Sequence, residues 1–171
     1  MRTSVVLDRS LDLVLAALTP GNRLVCMVML RTGLRVGDVV SLRADQIGRR
    51  FTVRESKTGK SRRVSLPGWL VDQIKAEAHG SAWAFPSPTD PKKHRTRQAV
   101  WKDIKRAQQA FRIKLNLGSH SMRKAYAVEL MAKYGDIERV RRALDHDYIT
   151  TTMLYAFADR LPSVSHKRVK R

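Results

Sequence analysis

The longest uninterrupted apolar run in the chain is LVCMVML, at residues 24–30, and it has only seven residues. A helix that spans a bilayer needs about 20 apolar residues, so this run predicts a helix buried inside a globular domain. Thr19 and Pro20 suit the N-cap and first turn of that helix, and Gly33 suits its end. The single cysteine, Cys26, lies within the run and is expected to be a buried, inert thiol in a reducing compartment.

Helical patterns recur along most of the chain. Apolar stripes at helical spacing predict helices over residues 7–18, 96–114, 119–134 and 136–144, with shorter ones over 36–42, 70–78 and 153–158. RFTVRES and RRVSLP predict two strands joined by the basic turn KTGK, and SAWAFPSP predicts a short strand that runs into a loop. The expected fold class is mainly α with a small β-hairpin or sheet (α+β), in one domain.

The charge of the chain points to a polyanionic partner. The formal net charge is +19, and basic residues cluster in residues 49–63, 92–114 and 160–171. Such a charge favours nucleic acid first and an anionic membrane surface second, and the short apolar run weakens the membrane interpretation. A generic solvated surface is the alternative. The cations expected to contact double-stranded DNA are Arg54, Lys60, Arg62, Lys92, Lys93, Arg95, Arg97 and Lys124.

A further set of polar residues lies where the helical pattern breaks, at predicted helix ends and at the hairpin tip. Paired guanidinium groups can hold the non-bridging oxygens of a phosphodiester, a tyrosine can attack phosphorus, and lysine or histidine can protonate the leaving oxygen. The scattered histidines do not predict a metal site, and no cofactor is expected. Each residue alone is weak evidence; the candidate catalytic set is Arg35, Lys57, His120, Arg123, His146 and Tyr155.

The order and spacing of these residues resemble a known family. RTGLRVGDVVSLRADQI is similar to the first box of the tyrosine recombinase (phage integrase) superfamily, and SKTGKSRRVSLP is similar to its lysine hairpin. HSMRKAYAVELMAKYGDIERVRRALDHDYITTTMLYAF is similar to its second box over the whole length. The resemblance covers residues 7 to 158 and implies the catalytic-domain fold of that family over residues 1–158, followed by a basic tail at 159–171.

The resemblance also implies a role for each residue of the candidate set. Arg35 and Arg123 would clamp the scissile phosphate, and Lys57 would be the general acid toward the leaving 5′ oxygen. His120 would assist proton transfer, His146 would hydrogen bond the phosphate, and Tyr155 would be the nucleophile that forms a 3′-phosphotyrosine. Asp38 matches the acid that usually supports the first arginine, and it is expected to be structural. The other tyrosines suit the role of nucleophile less well. Tyr126 and Tyr134 fall in an apolar helical pattern and are expected to be core or partly core. Tyr148 lies only two residues from His146, too close to reach the same phosphate independently.

Several positions depart from the family pattern. Asp145 replaces a usual glycine, Asp147 follows His146, and Lys124 replaces a frequent histidine. Family members usually carry a separate helical domain ahead of the catalytic one, whereas here the pattern starts almost at Met1. The chain is therefore expected to be either an excised catalytic domain or a minimal enzyme. In the family the segment after Tyr155 often packs on a neighbouring subunit, which would give a tetramer on DNA; here that segment would do so, or contact DNA, or remain disordered. The protein is expected in the cytoplasm of a prokaryote or encoded by a phage or mobile element.

Three functional classes remain open. The first is a site-specific recombinase or integrase that cleaves and rejoins DNA strands without metal or ATP. The second uses the same chemistry for nicking, telomere resolution or type IB relaxation of supercoils. The third is a non-enzymatic basic DNA-binding protein, against which the complete candidate set argues, because binding alone does not need Tyr155.

Overall fold

The computed structural model describes residues 2–114 and 116–144, with side chains from residue 9 onward. The α-helices of this part are α1 (Arg2–Ala17), α2 (Pro20–Thr32), α3 (Val36–Val40), α4 (Gly68–Ala78), α5 (Arg97–Ala110), α6 (Ser119–Tyr134) and α7 (Ile137–Leu144). Strands β1 (Arg50–Arg54) and β2 (Ser61–Ser65) form one antiparallel hairpin. The predicted mainly helical α+β class is confirmed. The predicted helix over 153–158 and the basic tail lie outside the described residues.

Helix α2, which contains the seven-residue apolar run, is the centre of the fold. It packs against α1, α3, α4, α5, α6 and β2. Residues on several sides of the helix are buried, including Val25, Cys26, Val28 and Met29. Because neighbours surround the helix, its sequence needs no polar stripe along the middle, which is why the apolar run is unbroken. The interior helix predicted from this run is confirmed.

The hairpin joins its two strands in a register that pairs Arg50 with Ser65 and Arg54 with Ser61. One side of it faces the core through Val53 and Val64, and the outward positions are polar. The connecting loop closes through Glu55, whose amide donates to the carbonyl of Lys60 and whose carbonyl accepts from the amide of Gly59. The hairpin predicted around KTGK is confirmed, with Lys57 in its turn.

Two local predictions differ from the structure. The strand predicted over residues 81–88 is absent from the described part of the chain, where this segment makes only isolated bridges between Arg43 and Trp83 and between Pro86 and His94. Neither bridge continues into a ladder, so the apolar alternation there reflects burial of Ala84 and Phe85 in a loop. Helix α5 ends at Ala110 rather than near residue 114, because Arg112 takes a left-handed conformation.

Candidate active site

The turn that ends α2 places Arg35. Gly33 adopts φ 64° and caps the helix with a hydrogen bond from its amide to the carbonyl of Met29. A Cβ atom at Gly33 would lie 2.3 Å from Cδ1 of Tyr126, so the turn needs glycine both for its conformation and for its space. Two residues later Arg35 stands at the N-cap position of α3, with its side chain 24% exposed. The guanidinium therefore lies at the surface end of a tightly packed turn.

Arg35 is held by Glu55, a residue that the sequence did not single out. Nη1 of Arg35 donates to Oε2 of Glu55, and the Glu55 side chain is only 1% exposed. Oε1 of the same carboxylate lies 3.3 Å from Nε of Arg62 in an ion pair. Glu55 is the one acid in the basic stretch 49–63. Its position as a single acid among cations was the feature of the sequence that could have pointed to this ion pair. A buried carboxylate there is explained by the two guanidinium groups beside it.

The buried carboxylate of Asp38 binds the hairpin loop, in keeping with the structural role expected of it. Its Oδ1 accepts hydrogen bonds from the amide of Ser56 at 2.9 Å and from the hydroxyl of Ser56 at 2.7 Å. Asp38 is buried in helix α3. Because Ser56 directly precedes Lys57, these hydrogen bonds attach the loop that contains Lys57 to helix α3. The carboxylate that pairs with Arg35 is Glu55, so the expected support of the first arginine comes from the hairpin instead of from α3.

Arg123 and Arg62 join the C-terminal ends of two helices. Arg123 is 3% exposed and donates from Nη1 to the carbonyl of Gly33 and from Nη2 to the carbonyl of Leu144. Arg62 donates from Nη1 to the carbonyl of Ala143 and, at 2.9 Å, from Nη2 to the carbonyl of Thr32. The last carbonyls of a helix lack partners within the helix and carry the negative end of its dipole, so guanidinium groups suit both ends.

Lys57 and His120 are exposed. Lys57 lies in the hairpin turn, and His120 lies in the first turn of α6, three residues before Arg123. His120 and Arg123 were expected to project from the same face of the helix. Their environments differ, because His120 is exposed and Arg123 is buried. His146 and Tyr155 lie outside the described residues, so their place in the candidate set stays a prediction.

Two other tyrosines, Tyr126 and Tyr134, lie on α6 within the described residues. Tyr126 packs against Gly33, and burial, with smaller electrostatic contributions, raises the pKa of its phenol. A phenol that ionises less readily is a poorer nucleophile, which agrees with the interpretation of Tyr126 as partly core. Tyr134 differs from that expectation, because it is 38% exposed at the end of α6 and stacks under the guanidinium of Arg139, 3.6 Å from the ring centroid.

The predicted DNA-contacting cations divide into two groups. Those on the surface are Arg54, Lys60, Lys92, Lys93, Arg97 and Lys124. Arg62 is largely buried between α2 and α7, as described above. Arg95 is 6% exposed, and its Nη1 donates to the side-chain oxygen of Asn22 at 3.2 Å. Arg95 therefore departs from the expected surface contact, because its guanidinium is enclosed by the fold.

The surroundings of Arg95 form a second polar cluster, separate from the one around Glu55. Asp103 accepts hydrogen bonds there from Asn22, from the amide and hydroxyl of Thr19, and from Arg106. Burial by itself raises the pKa of Asp103, but these donors outweigh it and hold that pKa below its ordinary value. Burial lowers the pKa of Arg95, against the opposing charges of Glu77 and Asp103. This cluster ties the start of α2 to α5.

Within residues 2–114 and 116–144, no group of three or more His, Cys, Asp and Glu side chains is arranged to hold a metal ion. No helix in this part is both long and apolar enough to cross a membrane.

Comparisons with known proteins agree on one family. The model of the phage integrase family matches residues 10–160. The integrase of Escherichia phage P2 is 30% identical over 155 residues, which cover 90% of this chain and 43% of that protein. The chain spans about half the length of the curated relatives it matches.

Solved structures share the fold. A lambda integrase dimer bound to a COC' core site has a TM-score of 0.73 at 21% identity, covering 95% of this chain and 50% of that one. The catalytic domain of bacteriophage HP1 integrase has a TM-score of 0.62 at 22% identity, and there the match covers 92% of this chain and 94% of that domain. The described fold is thus that of a recombinase catalytic domain.

Proposed function

The chain belongs to the phage integrase family, and on that premise we propose that it cleaves and rejoins duplex DNA as the catalytic domain of a tyrosine-type site-specific recombinase. Its reaction exchanges one phosphodiester for another through a covalent phosphotyrosine. Because the energy of the broken bond is kept in the new one, ATP is not required, and cationic side chains supply the charge stabilisation that a metal ion would otherwise give.

The observation that carries this proposal is the meeting of four candidate segments at the C-terminal end of α2. Arg123 donates a hydrogen bond to the carbonyl of Gly33, two residues before Arg35. Arg35 donates a hydrogen bond to the carboxylate of Glu55, two residues before Lys57. Arg123 also holds the carbonyl of Leu144, two residues before His146 in sequence. Residues far apart in the chain are thereby anchored to one turn, as a site that handles a single phosphate requires.

Each residue has a defined part in the proposed reaction. The phenol oxygen of Tyr155 attacks phosphorus, a Tyr–O–P bond forms, and the bond from phosphorus to the 5′ oxygen breaks. His120 takes the phenol proton, and Lys57 gives a proton to the leaving 5′ oxygen, which departs as a hydroxyl. Arg35, Arg123 and His146 offset the negative charge that accumulates on the phosphate oxygens in the transition state.

Double-stranded DNA is the proposed substrate. Lys92 and Lys93 are exposed between α4 and α5, Arg97 is exposed at the start of α5, and Arg54 and Lys60 are exposed on the hairpin. Cations of this kind bind the DNA backbone by releasing condensed counterions, so binding should weaken steeply with salt. We further propose that several subunits assemble on one DNA through the segment after Tyr155, which lies outside the described residues.

Covalent capture tests this function without knowledge of the target sequence. The full chain is incubated with a library of duplexes that carry a randomised central segment and a nick, so that the cleaved end is lost by diffusion and the protein stays attached. Protein–DNA adducts that survive denaturant and disappear with protease are recovered and sequenced. The expected result is an adduct enriched in one sequence, and failure of the wild-type chain to form any adduct would refute cleavage.

The nucleophile is tested on the same DNA. Tyr155→Phe should bind the selected duplex with unchanged affinity and form no adduct, whereas Tyr148→Phe should form the adduct at the wild-type rate. An adduct that persists in Tyr155→Phe would exclude Tyr155 as the attacking group.

A further inference from the structure

Glu55, in the loop of the lysine hairpin, contacts two arginines, Arg35 and Arg62. One oxygen of its carboxylate accepts from Arg35, and the other lies 3.3 Å from Nε of Arg62. We propose that Glu55 is a positioning residue that holds the Arg35 guanidinium in the orientation needed to bind the scissile phosphate. This inference rests on the proposed recombinase function and adds a residue to it.

Burial and charge explain why the side chain at this position is an acid. A carboxylate that is 1% exposed is costly unless cations and hydrogen bonds replace its water. Arg35 supplies a hydrogen bond and a cation, Arg62 supplies a second cation in an ion pair, and Arg35 keeps 24% of its side chain exposed. A guanidinium has five N–H donors in a rigid fork, so a bond through Nη1 fixes the plane of the group while other donors remain on it. Among the described residues, Glu55 is the hydrogen-bond partner of the Arg35 side chain.

The same carboxylate links Arg35 to the end of α7. Arg62, its second partner, donates to Ala143 in the last turn of α7 and to Thr32 in the last turn of α2. Glu55 also closes the hairpin loop through its own amide and carbonyl, two residues before Lys57. Removing its charge therefore leaves Arg35 and Arg62 without their shared anion and loosens three anchored segments together.

The contact between Glu55 and Arg35 could also have the opposite effect, which is inhibition of cleavage. A carboxylate on Arg35 occupies a donor that a phosphate could use, and a contact of that kind would inhibit the enzyme. The two possibilities differ in sign, because loss of a positioning contact slows cleavage and loss of a competing contact speeds it.

The activity test compares Glu55→Gln with the wild type on the duplex selected by covalent capture. Glu55→Gln keeps the shape of the side chain and removes its charge. At saturating DNA, the single-turnover rate of adduct formation is expected to fall roughly 10- to 100-fold, the scale of a misplaced positioning group. DNA affinity, measured in the Tyr155→Phe background, is expected to change by less than about threefold, because backbone contacts elsewhere supply most of the binding.

A second variant and a matched control separate positioning from folding. Glu55→Asp keeps the buried charge, which protects the fold, but withdraws the carboxylate by one methylene, and the rate should again fall. Asp103→Asn removes an acid from the other arginine cluster, where Asp103 holds Arg106 and Asn22. It should lower the unfolding temperature while leaving the rate per folded molecule unchanged.

Chemical modification reports on Arg35 without DNA. Phenylglyoxal attacks guanidinium groups that are not held by a carboxylate, and peptide mass spectrometry locates the adducts. In the wild-type chain Arg35 should react several-fold more slowly than exposed Arg54, and in Glu55→Gln the two should react at similar rates. The exposure of Arg54 in the hairpin makes it an internal reference within each sample.

The outcomes are distinct. A slower Glu55→Gln with unprotected Arg35 supports positioning. Equal rates of cleavage, or equal modification of Arg35 in both proteins, overturn this inference while the recombinase function stands, and faster cleavage by Glu55→Gln replaces positioning with inhibition. A wild-type chain that forms no adduct overturns the proposed function itself.

Discussion

Arg123 donates a hydrogen bond from Nη2 to the main-chain carbonyl of Leu144, the last residue of α7. The same guanidinium donates from Nη1 to Gly33, in the turn that precedes Arg35. One buried side chain therefore fixes the distance between the first arginine of the site and the point where the chain leaves α7 toward His146. Arg123 has a structural contribution in addition to any contact with phosphate.

The first prediction concerns that double anchor. Arg123→Lys keeps the positive charge but replaces a planar fork by a single ammonium, which cannot reach both carbonyls in the same geometry. Charge-assisted hydrogen bonds contribute about 1.5–3 kcal/mol each, so the free energy of unfolding should fall by about 2–4 kcal/mol. Urea denaturation followed by circular dichroism measures it.

Arg63→Lys is the control for this substitution. Arg63 lies on β2 with its side chain exposed, so its replacement should change the free energy of unfolding by less than about 0.5 kcal/mol. Equal losses in the two variants would mean that the carbonyl bonds of Arg123 do not stabilise the fold.

The second prediction compares two glycines with nearly the same backbone conformation. Gly33 has φ 64° and Gly59 has φ 69°. A Cβ at Gly33 would overlap Tyr126, whereas a Cβ at Gly59 would meet no atom within 4 Å. Gly59→Ala should therefore cost about 1 kcal/mol for the left-handed conformation alone, and Gly33→Ala should cost about 2–4 kcal/mol once overpacking is added. Similar losses in urea denaturation would contradict the proposed steric role of Tyr126.

Helices and turns were predictable because their signals are local. The apolar run of α2 ended at Gly33 as expected, Thr96 caps α5 through its side chain, and the hydrogen bonds of Asp136 to the first amides of α7 match the predicted cap. The segment 81–88 was mispredicted as a strand because alternating apolar residues indicate burial, and burial in a loop leaves the same pattern. A strand also needs a partner, which lies elsewhere in the sequence.

The site was harder to predict, because burial of charge depends on tertiary contacts. Arg62 and Arg95 belong to basic clusters and were expected on the surface, but each is enclosed by groups distant in sequence, such as Ala143 for Arg62 and Asn22 for Arg95. Glu55 was visible only as a lone acid among cations. Sequence alone does not reveal whether such an acid is solvated or forms the centre of an ion cluster.

The third prediction concerns Cys26, the single cysteine of the chain. Burial, with a smaller contribution from Asp103, raises the pKa of this thiol to about 12. Since the thiolate is the reactive form, native protein should not react with an aromatic disulfide reagent at about pH 8 over minutes. One thiol per chain should react once the protein is unfolded in guanidinium chloride. Rapid reaction of the native protein would show that α2 opens locally.

The fourth prediction follows from the pKa of Asp103, which the hydrogen bonds from Asn22, Thr19 and Arg106 hold below its ordinary value despite burial. The folded state releases this proton more readily than the unfolded state does. The resulting stability is present above the unfolded pKa of about 4 and is lost as pH falls through the lower folded pKa. Urea denaturation between about pH 6 and pH 3 should show this loss.

Asp103→Asn isolates the contribution of that carboxyl. The variant should be less stable than the wild type near neutral pH, and its stability should fall less steeply in acid, because one titrating group is gone. Some acid dependence should remain, since hydrogen bonds to Lys93 and to Arg141 lower the pKa values of Asp90 and Glu138 as well. Identical slopes for both proteins would contradict the lowered pKa of Asp103.

The last prediction tests Lys57 as the proton donor of the proposed reaction. Lys57→Met should slow adduct formation about 100- to 10,000-fold, the usual range for loss of general acid catalysis. A substrate with sulfur in place of the leaving 5′ oxygen should restore the rate, because a thiolate departs without a proton. Arg35→Gln should stay slow on both substrates, since charge on the phosphate still builds up. If the sulfur substrate fails to rescue Lys57→Met while the wild type cleaves it, Lys57 has another role, such as holding the DNA against the hairpin.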